Sequence, residues 1–128
     1  MIEMAIKPRR VLVLDDDEAI LSVVSDVLAI IGYHSVTTTD HEEALEIVRS
    51  ERADVMLLDL LMKPVSGLEV LKQLRAFSSI PVIVFSAHAD IGATAMGQGA
   101  DGYLSKPFRL HQISDTIGAA CASRGARS

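Results

Sequence analysis

The stretch Val11-Leu12-Val13-Leu14-Asp15-Asp16 is a short apolar run that ends in two adjacent acids. A continuous apolar run of this length is typical of a strand that is buried on both faces, as in a parallel sheet. Two similar runs follow along the chain: Val55–Leu58, which ends at Asp59, and Pro81–Phe85, which ends at Ser86. These three runs predict the centre of a parallel sheet.

Helical and strand patterns alternate on both sides of these runs. Five helices are predicted: Ala19–Ile31, a helix that begins at Asp40, Gly67–Phe77, Ala89–Gly97 and Leu110–Cys121. Two further strands are predicted, an outer strand at Ser35–Thr38 and a short strand that begins at Tyr103–Leu104. Gly32 is expected to cap the first helix, and Asp40 with Glu43 resembles a capping box. Five such strand–helix units predict an α/β fold, a doubly wound five-stranded parallel sheet with five helices on its two faces.

Length and composition limit the class of protein. The chain has 128 residues, a formal net charge of −5 and one cysteine, Cys121. We expect a single domain over residues 1–128, with a core at about 9–122 and short flexible tails that include the polar stretch Ser123–Ser128. The negative charge argues against direct nucleic-acid binding. The single cysteine and the lack of a long apolar window favour a cytoplasmic protein without a membrane span.

Polar side chains follow four of the predicted strands, and such strand ends are where open α/β sheets bind ligands. Asp15 and Asp16 follow the first strand, Asp59 the third, Ser86 the fourth and Lys106 the fifth. Clustered carboxylates repel one another unless a cation joins them. Mg²⁺ prefers carboxylates, waters and phosphate oxygens as ligands. The pattern therefore favours a magnesium-assisted phosphoryl-transfer site, in which alignment and charge neutralisation do most of the chemistry.

Four segments carry a resemblance to a known family. They are Val11–Asp16, Asp54–Asp59, Pro81–Ala87 and Gly99–Phe108. In this order and spacing, the chain resembles a bacterial response-regulator receiver domain of the chemotaxis-regulator type. The resemblance implies a flavodoxin-like fold with strand order 2-1-3-4-5. It also implies a phosphoprotein of a two-component system or phosphorelay, with an aspartyl phosphate as the signal and no enzymatic activity beyond its own phosphorylation and dephosphorylation.

The family's functional residues carry over to matching positions. Asp59 is the expected phosphoacceptor, and Asp15, Asp16, Asp59 and the backbone carbonyl of Leu61 are the expected Mg²⁺ ligands. Lys106 would pair with the phosphoryl group, and the peptide bond before Pro107 would be cis. Ser86 would be the switch hydroxyl, and Tyr103 would be the aromatic switch residue. By contrast, Asp17 and Glu18 are expected only to begin a helix.

The chain departs from the family at two places. The family has proline where Lys63 stands, and here the proline is displaced to Pro64. The stretch from Ser86 to Lys106 is slightly shorter than in the family and contains Gly92, Gly97 and Gly99. The fourth helix is therefore expected to be brief. In the family, this helix forms the output and dimerisation surface together with the fifth strand and fifth helix.

Several functions remain open at this point. The leading hypothesis is a phosphoacceptor that receives its phosphoryl group from a histidine kinase or phosphotransfer protein and then binds an output protein, with homodimerisation as a further possibility. A receiver fragment of a hybrid kinase would have the same sequence features. A receiver-fold binding module that acts without phosphorylation is a second class. An aspartyl phosphatase of the haloacid-dehalogenase type is a third, and it would be phosphorylated on Asp15 instead of Asp59.

Overall fold

The computed structural model describes residues 9–87, 89–106 and 109–127. Strands and helices alternate along the whole described chain, as the sequence predicted. The elements are β1 (Arg10–Leu14), α1 (Glu18–Ile31), β2 (His34–Thr38), α2 (His41–Arg49), β3 (Val55–Asp59), α3 (Gly67–Arg75), β4 (Val82–Ser86), α4 (Ala89–Gly97), β5 (Gly102–Ser105) and α5 (Leu110–Arg127).

The five strands form one parallel sheet in the order β2-β1-β3-β4-β5. This order confirms the expected doubly wound topology. The strand order reverses direction between β1 and β3, and such a reversal opens a crevice at the carboxyl ends of the two strands. β2 lies at one edge of the sheet, as its short β-branched sequence suggested. β3 and β4 are buried along their whole length.

Alternate residues of each central strand face two separate hydrophobic cores, because successive side chains of a strand point to opposite faces. Leu12 and Leu14 of β1 pack in a core shared with α2, α3 and α4. Val11 and Val13 pack in the other core, which α1 and α5 close. Both cores are almost entirely aliphatic, and together they hold the carboxyl ends of β1, β3 and β4 in fixed positions.

The helix ends follow the expected capping chemistry with one correction. Asp17 caps α1 by accepting from the N–H of Ala19, and Gly32 ends α1 with a left-handed backbone, φ 111°. Asp40 caps α2, but the expected capping box is wrong. Instead, the carboxylate of Glu43 accepts a hydrogen bond from the hydroxyl of Thr38. The same hydroxyl accepts a hydrogen bond from the N–H of Asp40.

Several element boundaries also differ from the prediction by one or more residues. β1 begins at Arg10, because the N–H and guanidinium of Arg10 both donate to the carboxylate of Asp54 and tie this residue to the start of β3. This pairing lowers the pKa of Asp54. α5 continues to Arg127, beyond its predicted end at Cys121. The alanine-rich sequence around Cys121 has high helix propensity, and no proline stops the helix there.

Among the described helices, none is long and apolar enough to cross a membrane. Cys121 is a buried free thiol, and burial raises its pKa.

Candidate functional site

The carboxyl ends of β1, β3, β4 and β5 bring acidic, hydroxyl and ammonium groups to one pocket. Its volume is about 250 Å³. The lining residues include the candidates predicted from the sequence, namely Asp15, Asp16, Asp59, Leu61, Ser86 and Lys106. Asp15, Asp59 and Ser86 are buried, whereas Asp16 is exposed and Lys106 is partly buried. The pocket is therefore open to solvent on the side of Asp16 and closed at its floor.

Lys106 lies between the two buried acids. Its Nζ is 3.6 Å from Oδ2 of Asp15 and 3.7 Å from Oδ1 of Asp59. The ammonium also lies 4.8 Å from the centre of the Phe85 ring, within the range of a cation–π contact. The N–H of Lys106 donates to the carbonyl of Ser86. These contacts hold one positive charge over the acidic floor of the pocket.

The carboxyl group of Asp15 has a raised pKa. Burial raises the pKa of Asp15 to about 6, and the negative charges of Asp59 and Asp16 act in the same direction. The hydrogen bond from the N–H of Asp17 and the ammonium of Lys106 oppose this shift. The folded protein therefore binds this proton more tightly than the unfolded chain. Without a cation in the pocket, the stability contributed by protonated Asp15 is lost as the pH rises from about 4 through about 6.

Three carboxylates have the arrangement of a cation site. One oxygen from each of Asp15, Asp16 and Asp59 lies within 4.8 Å of the other two. No described residue donates a hydrogen bond to Oδ2 of Asp15, a buried oxygen. Buried polar atoms are nearly always paired with a protein group, a water or an ion. Hard carboxylate oxygens gathered in this way fit Mg²⁺, which prefers one or two carboxylates plus water.

The loop after β3 contacts this acidic cluster through two backbone N–H groups. Leu61 donates its N–H to Oδ1 of Asp59, with a distance of 3.2 Å. Lys63 donates its N–H to Oδ2 of Asp16, also at 3.2 Å. A proline at position 63 would lack this donor, so the displaced proline gives this chain a link between the β1–α1 loop and the β3–α3 loop. The backbone N–H of Lys63 was not among the site groups predicted from the sequence.

Ser86 and Tyr103 are connected through the backbone. The hydroxyl of Tyr103 donates to the carbonyl of Ser86 at 3.2 Å. Ser86 pairs with Ser105 in the sheet, and Tyr103 pairs with Val84. The half-buried ring of Tyr103 packs against the core under α4. The two predicted switch residues therefore lie on neighbouring strands and are in contact.

Gly67 is a structural determinant of the pocket, although the sequence predicted it only as the first residue of a helix. A Cβ at this position would lie 2.1 Å from the backbone oxygen of Asp59 and 2.6 Å from Cα of Leu60. The first turn of α3 therefore packs directly on the backbone of the predicted phosphoacceptor. The glycine next to a serine cap was the available signal, but its contact with β3 depends on the tertiary structure.

One prediction, the cis bond before Pro107, lies outside the described residues. A cis bond is present between Lys63 and Pro64, at the displaced proline.

Comparisons with known proteins agree on one family. The sequence model of the family described as "Response regulator receiver domain" matches residues 11–118. The "Probable transcriptional regulator ycf27" of Cyanophora paradoxa is 38% identical over 116 residues, which cover 89% of this chain and 48% of that protein. The "Response regulator MprA" of Mycolicibacterium vanbaalenii is 38% identical over 109 residues, which cover 83% of this chain and 47% of that protein.

A solved structure gives the same result. The crystal structure of a response regulator receiver domain protein from Clostridium thermocellum matches with a TM-score of 0.86 and 28% identity, and it covers 94% of this chain and 99% of that one. The chain spans about half the length of the curated relatives that it matches. Because the family model covers most of the chain, this protein belongs to the response regulator receiver domain family of two-component signalling.

Proposed function

We propose that this chain is a phosphoacceptor in which Asp59 receives a phosphoryl group from a phosphohistidine donor, with Mg²⁺ as cofactor. The observation that carries the proposal is the position of Asp59, whose carboxylate lies in one pocket with two further acids and 3.7 Å from the ammonium of Lys106. The expected donors are a histidine kinase or a phosphotransfer protein, since receiver domains act in two-component systems.

The proposed transfer needs a nucleophile, charge neutralisation and a leaving group. An oxygen of the Asp59 carboxylate attacks phosphorus, and the bond from phosphorus to the imidazole nitrogen of the donor breaks. The imidazole keeps the electron pair of that bond and takes a proton. Lys106 neutralises a phosphoryl oxygen, and the buried floor of the pocket limits access of water to the acyl phosphate. Positioning and electrostatics of this kind account for most of the catalysis of phosphoryl transfer.

The residues present fit the implied metal. Asp15, Asp16 and Asp59 would hold Mg²⁺, and we propose the backbone carbonyl of Leu61 as a further ligand. The ion would neutralise oxygens of the incoming phosphoryl group. The buried oxygen Oδ2 of Asp15, which accepts no hydrogen bond from the described residues, supports this assignment. Oδ2 of Asp16 already accepts a hydrogen bond from the N–H of Lys63, so Asp16 would bind the ion through Oδ1 or would share Oδ2.

Ser86 and Tyr103 are proposed to transmit the signal. Ser86 would donate its hydroxyl to a phosphoryl oxygen on Asp59, and a movement of β4 towards Asp59 would change the Tyr103 contact with the Ser86 carbonyl. The population of Tyr103 positions would then depend on the phosphorylation state. An output protein that binds at α4 and β5 would sense this change.

The proposal is tested by phosphorylation with a small donor. The protein is incubated with acetyl phosphate and Mg²⁺, and its intact mass is measured with and without a chelator. We expect a gain of one phosphoryl group that requires Mg²⁺ and is absent in Asp59→Asn. Asp40→Asn serves as the matched control, because asparagine caps a helix as well as aspartate does, and it should be phosphorylated normally.

Site mapping separates the alternatives. Borohydride reduction followed by peptide mass analysis identifies the phosphorylated aspartate, and modification of Asp15 in place of Asp59 would favour the phosphatase-like alternative. If acetyl phosphate gives no product, beryllofluoride binding is measured by NMR, because this compound mimics the phosphoryl group without a transfer step. Absence of both results in a folded protein would contradict the proposal and favour a module that binds partners without phosphorylation.

The affinity for Mg²⁺ is expected to depend on pH. Because the pKa of Asp15 is raised to about 6, a proton competes with the cation below this pH. The apparent dissociation constant should be nearly constant above pH 7 and should rise by up to about tenfold per pH unit well below pH 6. Calorimetric titration with Mg²⁺ between pH 5 and 8 measures this effect.

Asp15→Asn provides the control for this titration. Asparagine removes the titrating group, so the variant should bind Mg²⁺ more weakly and with little pH dependence over the same range. An unchanged wild-type affinity from pH 5 to 8 would show that Asp15 does not hold the competing proton.

A further inference from the structure

Gly92 in α4 lies directly under the ring of Tyr103. A Cβ at position 92 would be 2.5 Å from both Cδ1 and Cε1 of Tyr103 and 2.8 Å from Cζ. Carbon atoms that do not share bonds are normally separated by about 3.5–4.0 Å. The aromatic ring therefore occupies the space that any larger residue at position 92 would need. Gly92 is buried under this ring.

The same ring position allows the hydrogen bond from Tyr103 to the carbonyl of Ser86. The ring crosses from β5 to α4, and its hydroxyl reaches the carboxyl end of β4 next to the pocket. Without space over Gly92, the ring could not pack against α4 in this position, and its hydroxyl would lose its contact with Ser86. A tyrosine side chain can rotate about χ1 into solvent, so a clash here would move the ring more readily than the helix.

We propose that Gly92 is the positioning residue that permits the inward position of Tyr103, and thereby determines the shape of the α4–β5 surface that a protein partner would bind. Only the effect of Gly92 on partner binding at the α4–β5 surface rests on the proposed function. The steric relation between residue 92 and the tyrosine ring can be tested without any phosphorylation. A residue with a side chain at position 92 would favour the outward position of Tyr103.

Two glycines of the same helix allow a matched comparison. Gly97 also lies in α4, but a Cβ at position 97 would have no heavy atom within 4 Å among the described residues. Gly92→Ala and Gly97→Ala therefore make the same chemical change in the same helix, and both remove the conformational freedom of glycine. Only Gly92→Ala should displace the tyrosine ring. Each variant is also combined with Tyr103→Ala, which removes the ring.

The primary measurement is the side-chain conformation of Tyr103 by NMR. The chain contains two tyrosines, so the ring signals are simple to assign. In the wild-type protein and in Gly97→Ala we expect nuclear Overhauser effects between the ring and the backbone of residue 92, and χ1 couplings of one rotamer. In Gly92→Ala we expect these ring contacts to be lost and the χ1 couplings to change.

Thermal unfolding supplies an independent measurement. Gly97→Ala should raise the melting temperature in both backgrounds. When Tyr103 is present, Gly92→Ala should raise the melting temperature less than Gly97→Ala does. In the Tyr103→Ala background, the two variants should raise the melting temperature equally, because the clash at position 92 requires the tyrosine ring. The inference would be overturned if the Tyr103 ring kept its contacts with residue 92 in Gly92→Ala. It would also be overturned if the melting temperatures of the two alanine variants differed by the same amount with and without the tyrosine ring.

A beryllofluoride titration of the wild-type protein separates this inference from the proposed function. If the amide signals around Asp59 do not respond, the proposed phosphoacceptor role fails, and the NMR result on Gly92 is unaffected. If they respond and Gly92→Ala still keeps the inward ring, the positioning role of Gly92 fails alone. If both hold, Gly92→Ala should bind beryllofluoride while Tyr103 remains in its outward position.

Discussion

Replacement of Gly67 by alanine is expected to lower the free energy of unfolding by about 3 kcal/mol or more, because it forces a Cβ into backbone atoms. That Cβ would lie 2.1 Å from the oxygen of Asp59, 2.6 Å from Cα of Leu60 and 2.9 Å from the carbonyl carbon of Asp59. Backbone atoms of a central strand cannot rotate away as a side chain can. Either α3 must withdraw from β3 or the end of β3 must shift. Urea denaturation followed by circular dichroism measures the loss.

Gly118→Ala is the control for the effect of removing a helical glycine. Gly118 lies in α5, and among the described residues no heavy atom is within 4 Å of its would-be Cβ. This variant should gain about 0.5–1 kcal/mol of stability, because alanine is the better helix former. If Gly67→Ala loses less than about 1 kcal/mol, the start of α3 moves at low cost and does not hold the phosphoacceptor backbone rigidly.

Asp101→Ala is expected to lower the free energy of unfolding by about 3–5 kcal/mol, the usual result of removing one partner from a buried ion pair. Oδ2 of Asp101 lies 3.0 Å from the guanidinium of Arg75 and also accepts the N–H of Val82 at 2.9 Å. The side chains of Arg75 and Asp101 are only 17% and 4% exposed. The substitution would leave a mostly buried cation without its carboxylate. It would also loosen the junction between α3, β4 and the loop before β5.

Asp54→Ala provides the matched control, since Asp54 also pairs with an arginine at 3.0 Å. The side chains of Arg10 and Asp54 are 46% and 36% exposed, and exposed pairs contribute about 1 kcal/mol or less. Chemical denaturation in urea is measured at low salt and at high salt. High salt should reduce the loss in free energy of unfolding that Asp54→Ala causes. It should change the loss caused by Asp101→Ala much less, because that ion pair is buried. Equal losses in the two variants would contradict the assignment of the Arg75–Asp101 pair as the stronger contact.

Much of the fold could be predicted because its signals are local. Each central strand is a continuous apolar run, and each is followed by a helical spacing of apolar residues, so the alternation of elements is present in short windows of sequence. The caps Asp17 and Gly32 are local as well, and the structure confirms them. The prediction was wrong where a contact with another segment decided the result. Glu43 binds the hydroxyl of Thr38 and does not close a capping box.

The composition of the candidate site was also accessible from sequence, for a geometric reason. Parallel strands present their carboxyl ends at one edge, so Asp15, Asp59 and Lys106 were expected to approach one another although they are far apart in the chain. The structure places them in one pocket. Their roles in phosphorylation and metal binding remain predictions. The raised pKa of Asp15 could not be predicted from residue type, because it depends on how deeply the pocket buries that carboxylate.

The sequence by itself determined the order of strands and helices and the polar residues that follow four of the five strands. Only the tertiary structure decided which small residues lie under larger groups and which backbone groups reach the site. Gly67 packs on Asp59, Gly92 lies under Tyr103, and the N–H of Lys63 binds Asp16. The physical reason is that periodicity and propensity depend on neighbours in the chain. The three contacts join residues that are 8 to 47 positions apart in the sequence, so they depend instead on how closely helices, strands and loops pack in the folded protein.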